Sequence, residues 1–279
     1  MLAPWESRAL LASTEGSEVT VNSGLSRATV TSAGGALRLL LGDAEFEVER
    51  AALEWHSRRR SYLAVTREGS YEVEVRSSSY YKLTPVEGSD APTLEIDGIH
   101  MHRVSGVTPL EDARLKVRAL GVRPGSRVLE IGTGLGYTAL AALRSGASLV
   151  VSVELDENVL WIAERNPWSW HLASDRVIVL LGDAVEVLPQ LEGPFDYIIH
   201  DPPRLTPRTG ALYGAALYKE LFRLLRPGGA IFHYTGEPGR ARGRAFWAGV
   251  ASRLRGVGFE GIRYVRDALG VVARKPRQP

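Results

Sequence analysis

From Pro109 onward, strand-like and helix-like stretches alternate almost without a break, and this alternation limits the fold more than any other feature of the chain. LEDARLKVRALG has the spacing of an amphipathic helix closed by glycine. SRVLEIG (126–132) is an apolar run of strand length, YTALAALRSG (137–146) is helical again, and SLVVSVEL (148–155) is a strand. ENVLWIAERN, RVIVLLGD, AVEVLPQL and FDYIIHD continue the rhythm. LYGAALYKELFRLLRPGG (212–229) reads as a helix with a proline–glycine stop. AIFHYT, GRAFWAGVASRLRGVG, FEGIRYVRD and LGVVARK then give a strand, a helix and a terminal strand pair. Strands separated by helices pair in parallel, so the expected class is α/β with a doubly wound, mainly parallel, seven-stranded sheet.

The first hundred residues have another texture. EVTVNS, RATVT, ALRLLL, AEFEVE, SYLAVTR, YEVEVR and LEIDG are short stretches in which apolar and charged residues alternate between Gly and Ser turns. RAALEWHSRRR (50–60) is predicted as a short helix with a basic end. Residues 1–100 are therefore expected to form a small antiparallel β domain, and residues 101–279 the larger α/β domain.

Composition removes several classes of function. The chain has 0 cysteines, which excludes disulfides and thiolate metal sites. No HExxH-like spacing occurs, so no catalytic metal is expected. No apolar run is long enough to span a bilayer, and MLAPWESRALLAS lacks the layout of a secretory leader; a cytoplasmic protein without a membrane partner is expected. The formal net charge of +2 hides an asymmetry. Acids outnumber bases in the first hundred residues, whereas residues 240–279 contain only Glu260 and Asp267 against a run of arginines. A basic end on a nearly neutral body points to a polyanionic partner.

The turn VLEIGTGLGY (128–137) lies between a strand and a helix. Gly132, Gly134 and Gly136 permit positive φ and a close approach of backbone to ligand, with helix N–H groups aimed at it. Its last glycine falls one residue short of the dinucleotide fingerprint. Two acids follow apolar strands: Glu154 in VVSVELD and Asp183 in VIVLLGDA. The pattern E-x-G-x-G-x-G, then acid, then acid, resembles class I S-adenosylmethionine-dependent methyltransferases. That resemblance implies a cofactor site formed by Glu130, Gly132, Thr133, Gly134, Gly136 and Tyr137 around the turn. Glu154 and Leu155 would lie at the ribose, and Gly182, Asp183 and Ala184 at the adenine.

The fourth strand ends in IIHDPPRLTPR (198–208). DPPR resembles the motif (D/N/S)-P-P-(Y/F/W) of methyltransferases that act on exocyclic base amines and glutamine amides. Such an amine is a poor nucleophile because its lone pair is delocalised. Two acceptors fixed on its N–H bonds, the Asp201 carboxylate and the Pro202 carbonyl, turn the lone pair outward, and Pro203 stiffens the corner without adding a donor. The fourth position departs from the motif: Arg204 stands where an aromatic ring would stack. A guanidinium plane can also stack on a base, and Tyr213, Tyr218 or Tyr234 can supply a ring. His200 and His233 lie near the same strand ends, as substrate contacts or as core residues. Arg240, Arg242 and Arg244 in GEPGRARGR make a candidate phosphate-contacting strip, and Arg58, Arg59 and Arg60 a second basic cluster.

From YYKL and IDGIHMHR through GTGLGYTA, NPWS, HDPPR and FHYTG to ALGVVAR, the chain resembles a family of archaeal S-adenosylmethionine-dependent methyltransferases. The resemblance implies a Rossmann-like methyltransferase domain, S-adenosylmethionine as cofactor and an RNA substrate, ribosomal RNA before transfer RNA. The expected reaction is N-methylation of an exocyclic amine, cytosine N4 first and guanine N2 second. The alternatives are a protein glutamine or small-molecule N-methyltransferase and a polyamine aminopropyltransferase.

Overall fold

A computed structural model describes residues 1–236 and 246–277. The chain divides into two compact units. The first comprises Met1–Pro109 together with Asn158–Trp170; the second comprises Leu110–Glu157 and His171–Pro279.

In the first unit, helix α1 (Pro4–Ala12) precedes an antiparallel sheet of β1 (Glu18–Val21), β2 (Ser26–Ala33), β3 (Ala36–Leu41) and β4 (Ala44–Glu49). Alternate residues Val19, Val21, Ala28, Val30, Leu37, Leu39 and Val48 turn inward and meet Leu10 of α1. Leu53 of α2 (Arg50–His56) joins the same core. The hairpin β5 (Leu63–Val65) and β6 (Ser70–Glu72) follows. A second antiparallel sheet then combines β7 (Glu74–Arg76), β8 (Tyr80–Thr84), β9 (Thr93–Ile96) and β10 (Ile99–His100).

The second unit begins with α3 (Pro109–Leu120), which opens on proline, carries Glu111 and Asp112 in its first turn and Arg118 in its last, and stops at Gly121. Then come β11 (Arg127–Ile131), α4 (Tyr137–Arg144) and β12 (Leu149–Glu154); α5 (Glu157–Arg165) follows in the chain but belongs, past Glu157, to the first unit, and the second resumes with β13 (Val177–Leu181), α6 (Ala184–Val187) and β14 (Phe195–His200). The series ends with α7 (Ala215–Leu224), β15 (Leu225–Tyr234), α8 (Phe246–Val257), β16 (Glu260–Val265) and β17 (Gly270–Arg274). Among the described residues, seven strands form one sheet in the order β13-β12-β11-β14-β15-β17-β16. The five strands β11–β15 pair in parallel, and β17 runs antiparallel to both β15 and β16. This is the expected doubly wound α/β sheet, with antiparallel strands preceding it in the chain.

Both faces of the sheet are covered. Leu129, Ile131, Ile198 and Ile231 pack beneath Leu217 and Leu221 of α7 and Val250 and Leu254 of α8. Val128, Val150, Ile199 and Phe232 pack on the other face beneath Val117 of α3 and Ala139 and Leu143 of α4. Strand order reverses between β11 and β14, so the chain leaves β11 toward α4 on one face of the sheet and leaves β14 toward α7 on the other. Ligands bind at this position in doubly wound sheets.

One expected element is shorter than its pattern. The helix read as 212–229 ends at Leu224, and LRPGG belongs to β15. Phe195 pairs with Leu225, but Tyr197 pairs with Ala230, so the Pro227–Gly228 segment bulges out of the ladder. Gly228 (φ 75°) donates its N–H to the Lys275 carbonyl at 3.0 Å. Pro227 ends the helical hydrogen bonding, while sheet pairing recruits Leu225 first.

Candidate functional site

Glu130 shares with Val128 the side of β11 directed toward the α3–α4 face, and it has no exposed surface. The Thr138 hydroxyl of α4 donates to its Oε1, and the Ser152 hydroxyl of β12 to its Oε2 at 2.6 Å. The Thr133 and Ser152 hydroxyls share a further hydrogen bond of 2.7 Å. Burial, opposed by the Ser152 hydrogen bond, pushes the Glu130 carboxyl up to about 8; the charges of Asp201 and Glu154 add to the rise. Glu130 thus tethers the glycine turn from beneath, tying β11, β12 and α4 together.

The three glycines of the turn have different reasons to be glycine. A Cβ on Gly132 (φ +90°) would stand 2.8 Å from the Asp201 carbonyl oxygen, and one on Gly136 (φ +73°) 2.7 Å from Leu172. A Cβ on Gly134 (φ +54°) would meet nothing within 4 Å. Packing therefore requires glycine at the outer two, and Gly134 borders open space. Thr133 and Tyr137 are buried within the turn rather than presented on it.

Glu154 ends β12 and folds back over the turn. Its Oε2 accepts the Gly134 N–H at 2.9 Å, and its Oε1 accepts those of Leu155 at 3.0 Å and Asp156 at 3.2 Å. Burial raises its pKa, and these three N–H bonds oppose the rise. A carboxylate has about four acceptor positions, so one on Oε2 stays open. Asp183 caps α6 through the Val185 N–H at 2.8 Å, using Oδ1 and leaving Oδ2 without a partner among the described residues. Ala184 is buried behind it, and Gly182 donates its N–H to the Glu154 carbonyl at 2.7 Å. Leu155, Leu181 and Val185 expose apolar surface beside these acids. Two open carboxylate acceptors, apolar side chains and an unfilled glycine turn fit the hydroxyls, flat base and methionine end of S-adenosylmethionine.

The corner after β14 meets the same turn. Asp201 donates its N–H to the Ile131 carbonyl at 3.1 Å. Its Oδ2 accepts a hydrogen bond from Lys116 Nζ of α3 at 2.6 Å, and Lys116 also pairs with Asp112 at 2.9 Å. Burial alone would lower the Lys116 pKa, but the charges of Asp201 and Asp112 outweigh it and the net shift is upward. Asp201 Oδ1 and the Pro202 carbonyl accept nothing among the described residues. The Pro203 carbonyl accepts the Tyr213 hydroxyl at 2.7 Å. Arg204 is exposed, and its guanidinium has no partner among the described residues.

The expected substrate contacts separate by burial. Tyr213 is buried between His233 and Phe246, with ring centroids 5.4 and 5.5 Å away, so it braces the corner instead of presenting a ring. His200 is wholly buried, and its Nε2 donates to the Leu212 carbonyl at 2.8 Å. It is a core residue beneath the corner, held neutral by burial that pushes its pKa down to about 4. His233 is equally buried and accepts the Tyr218 hydroxyl on Nε2 at 2.7 Å. Tyr234 keeps some exposed surface, and its ring centroid lies 4.5 Å from Lys116 Nζ, which makes it the ring available beside Asp201. Arg240, Arg242 and Arg244 lie outside the described residues. In the first unit Arg58, Arg59 and Arg60 are exposed at the end of α2, and Arg59 lies over Trp55 at 4.3 Å.

Lys116 and Asp112 were not singled out by the sequence. A signal was present: LEDARLK places an acid and a base four residues apart on one helix face, and Lys116 is one of few lysines among many arginines.

Comparison with known proteins agrees with this geometry. A family model described as a methyltransferase domain matches residues 128–229. The chain is 42% identical over 239 residues to the uncharacterized protein MJ1233 of Methanocaldococcus jannaschii, covering 85% of this chain and 80% of that one. Ribosomal RNA large subunit methyltransferase I of Escherichia coli O9:H4 (strain HS) is 28% identical over 232 residues, or 76% of this chain and 58% of that protein. Among solved structures, a spermidine synthase in complex with the transition state analogue AdoDATO superposes with a TM-score of 0.61 at 19% identity, covering 74% of each chain. That of Thermotoga maritima gives 0.59 at 18% identity, covering 74% of this chain and 72% of that one. The likeness to both is one of fold. The chain belongs to the same family as MJ1233 and is an S-adenosylmethionine-dependent methyltransferase.

Proposed function

We propose that the enzyme methylates an exocyclic amine of a base in RNA, with cytosine N4 of ribosomal RNA the first candidate and guanine N2 the second. The observation that carries this reading is the corner at Asp201. It offers two acceptors unengaged among the described residues, Asp201 Oδ1 and the Pro202 carbonyl, beside the turn that carries Gly132 and Gly134. Bound S-adenosylmethionine supplies a methyl carbon made electrophilic by its sulfonium.

The protein's own contribution is to hold the amine. Asp201 and Pro202 accept its two N–H bonds, which draws the lone pair out of conjugation and points it across the glycine turn. Glu154 and Asp183 supply acceptors for ribose and adenine. Tyr234 or Arg204 offers a flat face for the base. With no cysteine in the chain, routes to ring-carbon methylation that begin with thiolate addition are closed, which favours a nitrogen target. RNA is favoured over protein by the likeness to a ribosomal RNA methyltransferase and by the arginine-rich end of the chain. A polyamine cation would need carboxylate charge left uncompensated, whereas the charge of Asp201 at this corner is already answered by the Lys116 ammonium, which leaves Oδ1 to act as an acceptor for a neutral amine.

The test compares methylated nucleosides by mass spectrometry in total RNA from wild-type and deletion strains, with in vitro transfer to deletion-strain RNA and to protein extract. Loss of one N-methylated nucleoside, restored by the wild-type enzyme but not by Asp201→Asn, is the expected result. An unchanged RNA profile together with labelling of protein would reject the RNA substrate.

A further inference from the structure

Lys116 is an expensive residue to place where it stands. Its side chain is 6% exposed, and burying an ammonium is unfavourable unless its charge and N–H bonds are matched. Asp112, one turn earlier on α3 and itself only 3% exposed, already supplies a counter-charge at 2.9 Å. A purely structural ion pair would be complete within the helix. Lys116 nevertheless makes its shorter contact, 2.6 Å, with Asp201 at the corner after β14, and lays Nζ 4.5 Å from the centre of the Tyr234 ring.

We propose that Lys116 is a positioning residue for methyl transfer: anchored by Asp112, it fixes one oxygen of Asp201 and so presents the other to the amine. The proposal rests on the reading of Asp201 as the amine acceptor and adds how that acceptor is aimed. A carboxylate on a short side chain can rotate and exchange its two oxygens. Here Oδ2 is held by a charge-assisted hydrogen bond, while Oδ1 has no partner among the described residues and the side chain keeps 23% of its surface. One oxygen is thereby an anchor and the other a directed acceptor. Lys116 stays charged between two carboxylates, so it orients and does not act as the base. Glu130 from β11 and Tyr213 from beneath the corner also feel the Asp201 charge. Among the described residues, Lys116 is the cation that pairs with it.

The experiment uses the full chain with Lys116→Arg, Lys116→Met and the double variant K116M/D112N. The double variant removes one charge of each sign and keeps the protein assayable if Lys116→Met alone fails to fold. With tritiated S-adenosylmethionine and total RNA from a deletion strain, kcat of the double variant should fall about 100-fold, the scale of a 1 Å misplacement. Cofactor affinity should stay within about threefold, and Lys116→Arg should recover part of the rate. Crystal structures of wild type and double variant should show the Asp201 carboxylate turned from its wild-type direction. An unchanged kcat, or a carboxylate that keeps its direction without Lys116, would overturn the proposal. If wild type itself labels no RNA, the RNA reading has failed, and the Asp201 orientation alone decides the role of Lys116.

Discussion

Gly132 and Asp201 touch through their backbones: a Cβ on the glycine would stand 2.8 Å from the aspartate's carbonyl oxygen. The glycine turn and the amine-binding corner are thus one contact surface, and Gly132 also has φ +90°, which a side chain adopts only with strain. Gly132→Ala should cost roughly 2–4 kcal/mol, lower the melting temperature by about 5–10 °C and reduce transfer more than tenfold. Gly134→Ala should cost only about 1 kcal/mol, for its φ alone, yet weaken cofactor binding, because its Cα borders the open space. Calorimetric melting and titration with S-adenosylmethionine separate the two effects. Equal cofactor affinity in Gly134→Ala and wild type would remove the cofactor from that space.

Glu154 serves the turn and the ligand together, since Oε2 holds the Gly134 N–H and retains an acceptor position. Replacement by Gln turns an amide N–H₂ toward backbone donors. Glu154→Gln should therefore raise the cofactor Kd by about 10- to 100-fold, the loss of one or two charge-assisted hydrogen bonds. Isothermal titration reads it directly, and a change under about threefold would take the ribose away from Glu154.

The fold was legible because its signals are local and repeated. Apolar runs ending in Gly132, Glu154, Asp183 and Asp201 mark strand ends whatever packs around them, and parallel pairing follows from the helices between. The segment 225–229 was misread because Pro–Gly–Gly signals a stop whether the chain leaves a helix or bulges within a strand; only pairing with β14 decides between them. The site was legible at its acids and glycines but not at Lys116, whose partner Asp201 lies 85 residues away. Nor does sequence spacing reveal that Tyr213 and His200 lie beneath the corner and Tyr234 beside it, since burial depends on how α7 covers β14 and β15.

Tyr213 should act on catalysis without touching the substrate. Its hydroxyl donates to the Pro203 carbonyl at 2.7 Å, and its ring is buried. Phenylalanine keeps the packing and deletes the bond, so Tyr213→Phe should cost about 1 kcal/mol of stability. The corner would loosen, and kcat should fall by about tenfold with cofactor affinity unchanged. Stopped-turnover assays beside binding titrations test this, and a wild-type kcat would show that the prolines alone hold the corner.

The buried acid Glu130 gives the enzyme a pH dependence of stability with a definite sign. Burial lifts its carboxyl from the ordinary 4.5 to about 8 in the folded chain. Between those values the native state binds more protons than the unfolded state, so stability falls as pH rises through the window. Below 4.5 both states are protonated and the penalty vanishes; above 8 it is fully present. Glu130→Gln removes the ionisable group and keeps the shape, and the Thr138 and Ser152 hydroxyls can turn to meet an amide. The variant should therefore match wild type near pH 5 and gain on it steadily toward pH 8, by up to a few kcal/mol. Urea denaturation at several pH values measures the difference. If the two stabilities run parallel from pH 5 to pH 9, the carboxyl is not held protonated beneath the turn, and the network joining β11, β12 and α4 must then accommodate a charge.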